Sequence, residues 1–159
     1  ALRYFLTRHV HPFDDSDVTM EKIHEAYNAN LANGLGNLVA RVMKMAEDNL
    51  SAPVVVEDQP LEKEFTEKLD AYRLDEAMNL IFEHIQKGDL YIQETLPFKK
   101  IKSDNPDEVA EGKAVIEKLV KHVYRLAEYL VIFMPETAEK MKQAVRENKK
   151  PETLFARID

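Results

Sequence analysis

The sequence predicts an all-α protein, a bundle of four main helices with short extra ones. Three observations carry that prediction. Glycine and proline are scarce, 4 and 7 in 159 residues, too few for the many turns of a β-sandwich or barrel. Apolar residues recur every three or four positions over long stretches, the period of a helix with one buried face. Proline and short polar residues stand where several of those stretches begin, as helix starts prefer.

The elements follow in order. Residues 1–16 read as a lead-in, a helix end or extended segment, apolar at Leu2, Phe5 and Leu6. Proline disfavours helix in the residue before it, so a turn is expected at His11-Pro12. Asp14, Asp15, Ser16 and Asp17 form a polar stop, and Asp17 or Thr19 can cap the next helix. From about Met20 to Ala46 one stripe runs through Ile23, Tyr27, Leu31, Leu35, Leu38, Val42 and Met45. Gly34 and Gly36 interrupt it; each costs about 1 kcal/mol inside a helix, so the pair predicts a break or a close approach of another chain segment. Residues 47–60 read as a loop. A helix is expected over 61–72 with Phe65, Leu69 and Tyr72 on one side, and another from Leu74 to about Glu94, stopped by Pro97. Residues 98–106 read as a basic, then polar, loop. Asn105 and Pro106 open a helix that runs to about Met134, Pro135 opens a last short one, and 148–159 read as a tail.

Size and composition bound the function. The chain reads as one domain of 159 residues. Its start at Ala1, within an apolar stretch and without a methionine, predicts a piece of a longer protein. Lys plus Arg minus Asp plus Glu is 22 − 29 = −7, so any polyanion site must be a local basic patch on an acidic body. With no cysteine there is no disulfide scaffold, thiol nucleophile or thiolate zinc site. No apolar run approaches the roughly 18–20 residues of a membrane span, so no membrane partner is expected.

Chemistry-bearing motifs are few. Glu21 and His24 make one E-x-x-H pair, but a di-metal bundle needs two, and Ile81 and Leu119 stand three before His84 and His122. Gly34-x-Gly36 lies inside a helical stripe with no strand before it, unlike a phosphate loop. No G-x-S-x-G element occurs. No catalytic residue, metal ligand or cofactor site is assigned to this chain.

Two segments carry more information. The first is Tyr27 to Arg41, with Asn28, Asn30, Asn33 and Asn37 in ten residues. Asn37 and Arg41, four apart, share a helix face. An amide matches the donors and acceptors of an unpaired base edge, and a guanidinium can hold a base edge, stack or grip phosphate. The second is Tyr91 to Lys102, where Phe98 follows Pro97 and precedes Lys99, Lys100 and Lys102. A ring for stacking beside cations for phosphates suits a single strand. The same residues admit a plainer reading: internal hydrogen-bonding amides, a surface ion pair at Arg41, a core ring at Phe98 and a solvated lysine loop.

Resemblance adds to this. Leu2-Arg3-Tyr4-Phe5-Leu6, the run from Asn30 to Arg41, the Tyr91–Phe98 segment and Phe133-Met134-Pro135-Glu136-Thr137-Ala138 resemble, in order and spacing, the C-terminal helical anticodon-binding domain of methionyl-tRNA synthetase, a class I aminoacyl-tRNA synthetase. The resemblance implies that Asn37, Arg41 and an aromatic placed by Pro97, here Phe98, recognise a CAU anticodon loop of tRNA(Met), with Lys99, Lys100 and Lys102 as phosphate contacts. The family's aromatic is typically Trp; Phe keeps a stacking face but loses area and the indole donor. Neither a His-Ile-Gly-His nor a Lys-Met-Ser-Lys-Ser signature is present. The resemblance therefore implies that the parent enzyme joins methionine to tRNA with ATP and Mg in the cytoplasm through an upstream catalytic domain, while this segment is inactive by itself and does not take DNA. Two alternatives stand beside it: a helical protein-interaction domain without RNA binding, for which the acidic balance argues, and the equivalent domain of another class I synthetase.

Overall fold

The computed structural model describes residues 1–11 and 15–158. Pro12 of the expected turn and Asp14 of the expected polar stop lie outside them, as does Asp159. The described residues form eight α-helices and one π-helical segment, with no strand: α1 (Leu2–His9), α2 (Met20–Ala26), the π segment (Tyr27–Gly36), α3 (Asn37–Asn49), α4 (Lys63–Asp70), α5 (Leu74–Thr95), α6 (Pro97–Lys100), α7 (Pro106–Leu130) and α8 (Pro135–Glu147). None of these helices is long and apolar enough to cross a membrane.

The expected stripe from Met20 is one continuous rod. Thr19 caps it, its hydroxyl accepting from Lys22 N at 3.2 Å. Leu31, Leu35, Leu38 and Val42 are fully buried along it. Gly34 and Gly36 do not break it. Instead the coil widens over ten residues, and α3 continues directly from Gly36. The two glycines therefore mark crowding rather than an end. A Cβ at Gly36 would lie 3.0 Å from the Leu31 carbonyl oxygen and 3.6 Å from the Phe155 ring.

α7 is the central element, packed against α3, α5, α6 and α8. Its start is as expected: the Asn105 side chain accepts from Asp107 N at 3.0 Å, with Pro106 in the first turn. It ends at Leu130 rather than Met134, because residues 131–133 turn to let Pro135 start α8. Gly88 of α5 brings α5, α3 and α7 together. A Cβ there would meet the His122 ring at 3.0 Å and Leu38 at 3.1 Å.

Two expectations are made specific and two are corrected. The lead-in is helix α1, and Tyr4 and Phe5 on it belong to the core. Tyr4 packs on Phe82 at 5.4 Å between centroids, and the Arg8 guanidinium lies over the Phe82 ring, its Cζ 3.9 Å from the centroid. Tyr72 does not share the buried side with Phe65. It closes α4 in the left-handed region at φ 58° and is 79% exposed, because the chain must reverse there before α5. Residues 98–100, expected to begin a loop, belong instead to the short helix α6 with Pro97. Finally, the tail is docked. Asn148 ends α8 in the left-handed conformation, and its amide donates to the carbonyls of Leu50 at 3.1 Å and Ala46 at 3.4 Å. From there the chain runs back along α3 to the π segment. Phe155 packs edge-on to Tyr27 at 6.1 Å, Tyr27 Oη donates to Ala156 O at 2.9 Å, and the Asn28 amide both donates to Ile158 O at 2.7 Å and accepts from Ile158 N at 3.0 Å.

The loop over residues 50–62 is tied to α7 by polar groups. The Arg125 guanidinium donates to Gln59 O and Pro60 O at 2.9 and 2.6 Å, and Glu128 accepts from Gln59 N at 2.7 Å and from Arg125 at 2.9 Å.

Burial sets the acid response of the bundle. His122 Nε2 donates to His84 O at 2.8 Å from between helices, and burial lowers its pKa; burial also lowers those of His84 and His9. The unfolded rings take up protons near pH 6.5 while the folded rings stay neutral. Stability from these groups is therefore fully present above about pH 6.5 and lost as pH falls below it. Urea unfolding midpoints are expected to be lower at about pH 5.5 than at about pH 7.5, and His122→Gln is expected to narrow the gap. Equal midpoints would contradict the burial argument.

Candidate nucleic-acid interface

The segments that carry Asn37, Arg41 and Phe98 reach one place by different physical routes. Asn37 is the first residue of α3, exposed, with Arg41 one turn on. The apolar stripe of Leu38, Val39, Val42 and Met43 is buried, so the alternate face with Asn37 and Arg41 is turned outward. Phe98 arrives from the end of α5. Leu96 stops that helix in the left-handed region at φ 46°, directly before Pro97, a conformation that costs a non-glycine residue of order 1–3 kcal/mol. The kink is held because Leu96 O accepts from Lys99 N at 2.9 Å and Pro97 is buried. α6 is then pressed onto α7 at Gly112, where a Cβ would lie 2.9 Å from Lys100 Cβ and 3.1 Å from the Ile101 backbone nitrogen. Without a side chain at 112, the turn sits flush against α7 and leaves Phe98 39% exposed.

The result is an open depression of about 550 Å³ lined by Asn37, Ala40, Arg41, Lys44, Met45, Phe98 and Lys150. Its floor is apolar, its polar groups are one amide and three cations, and no carboxylate lines it. Asn37 and Phe98 are exposed and Arg41 is partly so. Arg41 is held from behind: its NH1 lies 3.0 Å from Asp89 Oδ1 on α5. Burial raises the Asp89 pKa and Arg41 pulls it back down. Both sequence readings of Arg41 thus meet in one residue, an ion pair that fixes a guanidinium at the edge of a depression.

The remaining residues named from sequence divide. Pro97 is buried under the turn and serves to place Phe98. Lys99 and Lys102 are exposed beside it. Lys100 is committed to Glu111 of α7 in an ion pair. The asparagines divide as well. Asn28 holds the tail, Asn33 is exposed and outside the depression, and only Asn37 lines it. Sequence reasoning missed Lys150, which comes from the tail; the one available signal was the Lys149-Lys150 pair just past the end of α8.

Similarity to known proteins extends over about nine-tenths of the chain in sequence and 99% of it in fold. The family described as tRNA synthetases class I (M) matches residues 1–43. The methionine–tRNA ligase of Mycoplasmopsis pulmonis is 29% identical over 158 residues, 91% of this chain and 30% of that protein. The Thermotoga maritima enzyme of the same name is 29% identical over 95% of this chain and 26% of its own length. The Clostridium acetobutylicum enzyme is 31% identical over 89% and 24%. The chain resembles the methionine–tRNA ligases over about nine-tenths of its length. It spans 24–30% of the length of these relatives. In fold it matches methionyl-tRNA synthetase of Mycobacterium tuberculosis in its apo form, with a TM-score of 0.85 over 99% of this chain and 38% of that one, at 22% identity. The methionyl-adenylate-bound form of the same synthetase gives 0.80 over 99% and 36%, at 23% identity.

Proposed function

We propose that this chain is the anticodon-reading domain of a methionine–tRNA ligase and binds the CAU loop of tRNA(Met). The observation that carries the proposal is the convergence of Asn37, Arg41 and Phe98, from two distant stretches, on one open depression without a lining carboxylate. In this reading the loop bases are splayed out, as single-stranded RNA recognition requires. One stacks on Phe98, and base edges meet the Asn37 amide and the Arg41 guanidinium, which Asp89 keeps from swinging away. The similarity to methionine–tRNA ligases supports CAU as the sequence read. The reaction itself, joining methionine to tRNA with ATP and Mg, belongs in this reading to an upstream catalytic domain of the same polypeptide; this segment contributes tRNA selection only. The net charge of −7 does not oppose it, because no carboxylate lines the depression while Arg41, Lys44 and Lys150 do; Asp89 and Asp48 pair with Arg41 and Lys44 from outside the lining.

Fluorescence anisotropy with labelled anticodon stem-loops tests the proposal. A CAU loop is expected to bind more tightly than a scrambled loop at every salt concentration; equal affinity for both would remove specific reading. A loop for another amino acid that bound best would move the assignment to another class I synthetase. Stacking does not discriminate among bases, so Phe98→Ala is expected to weaken all loops alike. The effect should lie near the lower end of base-stacking energies, about 1 kcal/mol, because Phe is the smaller ring. Loss confined to the CAU loop would contradict a stacking role.

A further inference from the structure

The depression has a fourth contributor, from a segment that the apolar pattern does not connect to it. Lys150 lines it together with Asn37, Arg41 and Phe98. Its position is built by the strap that crosses α3. At one end the Asn148 amide is fastened to Leu50 O and Ala46 O at the C-terminal end of α3. At the other, Ile158 exchanges two hydrogen bonds with Asn28, at 2.7 and 3.0 Å. Between these clamps Phe155 fills the space that Gly36 leaves open. The strap therefore runs antiparallel to the helix that presents Asn37 and Arg41, and Lys150 falls two residues past the first clamp.

The state of the three lining cations differs. Arg41 is paired with Asp89 at 3.0 Å, and Lys44 with Asp48 at 2.6 Å. Among the described residues Lys150 has no ion-pair partner within 4 Å. A cation without an internal partner at the edge of an apolar floor retains its full charge for an incoming anion. A strand lying with its bases on Phe98, Asn37 and Arg41 carries its phosphates outward along the edge of the same depression.

We infer that Lys150 is a phosphate contact of the bound RNA loop and that the strap of residues 148–158 completes the binding site. This rests on the proposed reading of the depression as an anticodon-loop site. It adds a sequence-independent grip to the base-reading groups of α3 and α6. An ammonium is a point charge that takes any phosphate, so its contribution is the same for every loop sequence.

The test titrates the 159-residue chain, Lys150→Ala and a control, Lys118→Ala on the solvent face of α7, with CAU and scrambled stem-loops across a salt series. One phosphate contact to single-stranded RNA contributes about 0.7 to the slope of log K against log salt, which is about fivefold in affinity at 0.1 M salt. Lys150→Ala is expected to lose about fivefold for both loops there, with a shallower salt slope and an unchanged CAU preference, while Lys118→Ala matches the parent. Unaltered affinity and slope in Lys150→Ala, with the CAU preference intact, would overturn the strap's role and leave the anticodon reading standing. Loss of CAU preference without a change in slope would also overturn it, since the residue would then be acting on bases or on the fold. A parent chain that binds neither loop would overturn both readings together.

Discussion

Arg41→Ala is expected to weaken binding of a CAU stem-loop by about 1–3 kcal/mol, the usual loss for a base-contacting arginine, and to relax discrimination against loops altered at one anticodon base. Two effects add. The guanidinium that reaches the depression is removed, and Asp89 behind it is left as an uncompensated, partly buried carboxylate. Burial already raises the Asp89 pKa, and Arg41 is the group that lowers it; without Arg41 the carboxyl holds its proton to higher pH still. The variant's residual binding should therefore improve as pH falls toward the acid range, because protonation removes the negative charge beside the RNA. The parent should not share that trend. Arg41→Ala/Asp89→Asn separates the terms: it should recover the part of the loss that is repulsion and none that is base contact. Arg41→Lys keeps the charge but not the planar fork, so recovery of affinity without recovery of discrimination is expected. Unchanged affinity in Arg41→Ala, by anisotropy, would exclude the residue from the interface.

Gly112→Val is expected to destabilise the bundle by about 3 kcal/mol, the upper part of the range for overpacking a tight core position. A first side-chain carbon there already falls 2.9 Å from Lys100 Cβ and 3.1 Å from the Ile101 backbone nitrogen. Backbone cannot swing aside as a side chain end can, so α6 must lift from α7. Because α6 carries Phe98, the folded fraction of the variant should also bind every loop more weakly. Gly112→Ala is the milder probe. It gains about 1 kcal/mol of helix propensity against a smaller displacement, so its stability should change less than that of the valine variant. Urea unfolding gives the stability, and anisotropy corrected for the folded fraction gives the binding. A Gly112→Val protein as stable as the parent would contradict the close packing of α6 on α7.

How much of this was legible in the sequence follows from what each element depends on. The rods of α3, α5, α7 and α8 were legible because burial of one face imposes a period, and the starts at Asn105-Pro106 and Pro135 because caps are local chemistry. The widening over Tyr27–Gly36 was not, since its buried residues Leu31 and Leu35 stand four apart, a spacing that an α-helix also shows. Tyr72 was misplaced because chain reversal overrode an apolar pattern only two residues past the helix end. The docking of the tail was invisible for a different reason. Its contacts join residues about 130 positions apart, through the Asn28 amide and a backbone pair, and nothing periodic announces them. In the candidate site the pairing of Asn37 with Arg41 is local and could be read from a four-residue spacing. That Phe98 reaches the same depression depends on the left-handed Leu96 and the bare backbone at Gly112, which only the fold reveals. Asp89 and Lys150 were missed because one acts from behind through an ion pair and the other arrives on the strap.

The most direct measurement is an amide chemical-shift titration of the isotope-labelled chain with an unlabelled CAU stem-loop. Perturbed signals are expected to cluster at Asn37, Arg41, Phe98 and Lys150 and to spare α4 and the 50–62 loop, which are separate from the depression. Perturbation confined to those other surfaces, with the signals of Asn37, Arg41 and Phe98 unmoved at saturation, would show that RNA docks elsewhere and that these groups do not form the reading surface.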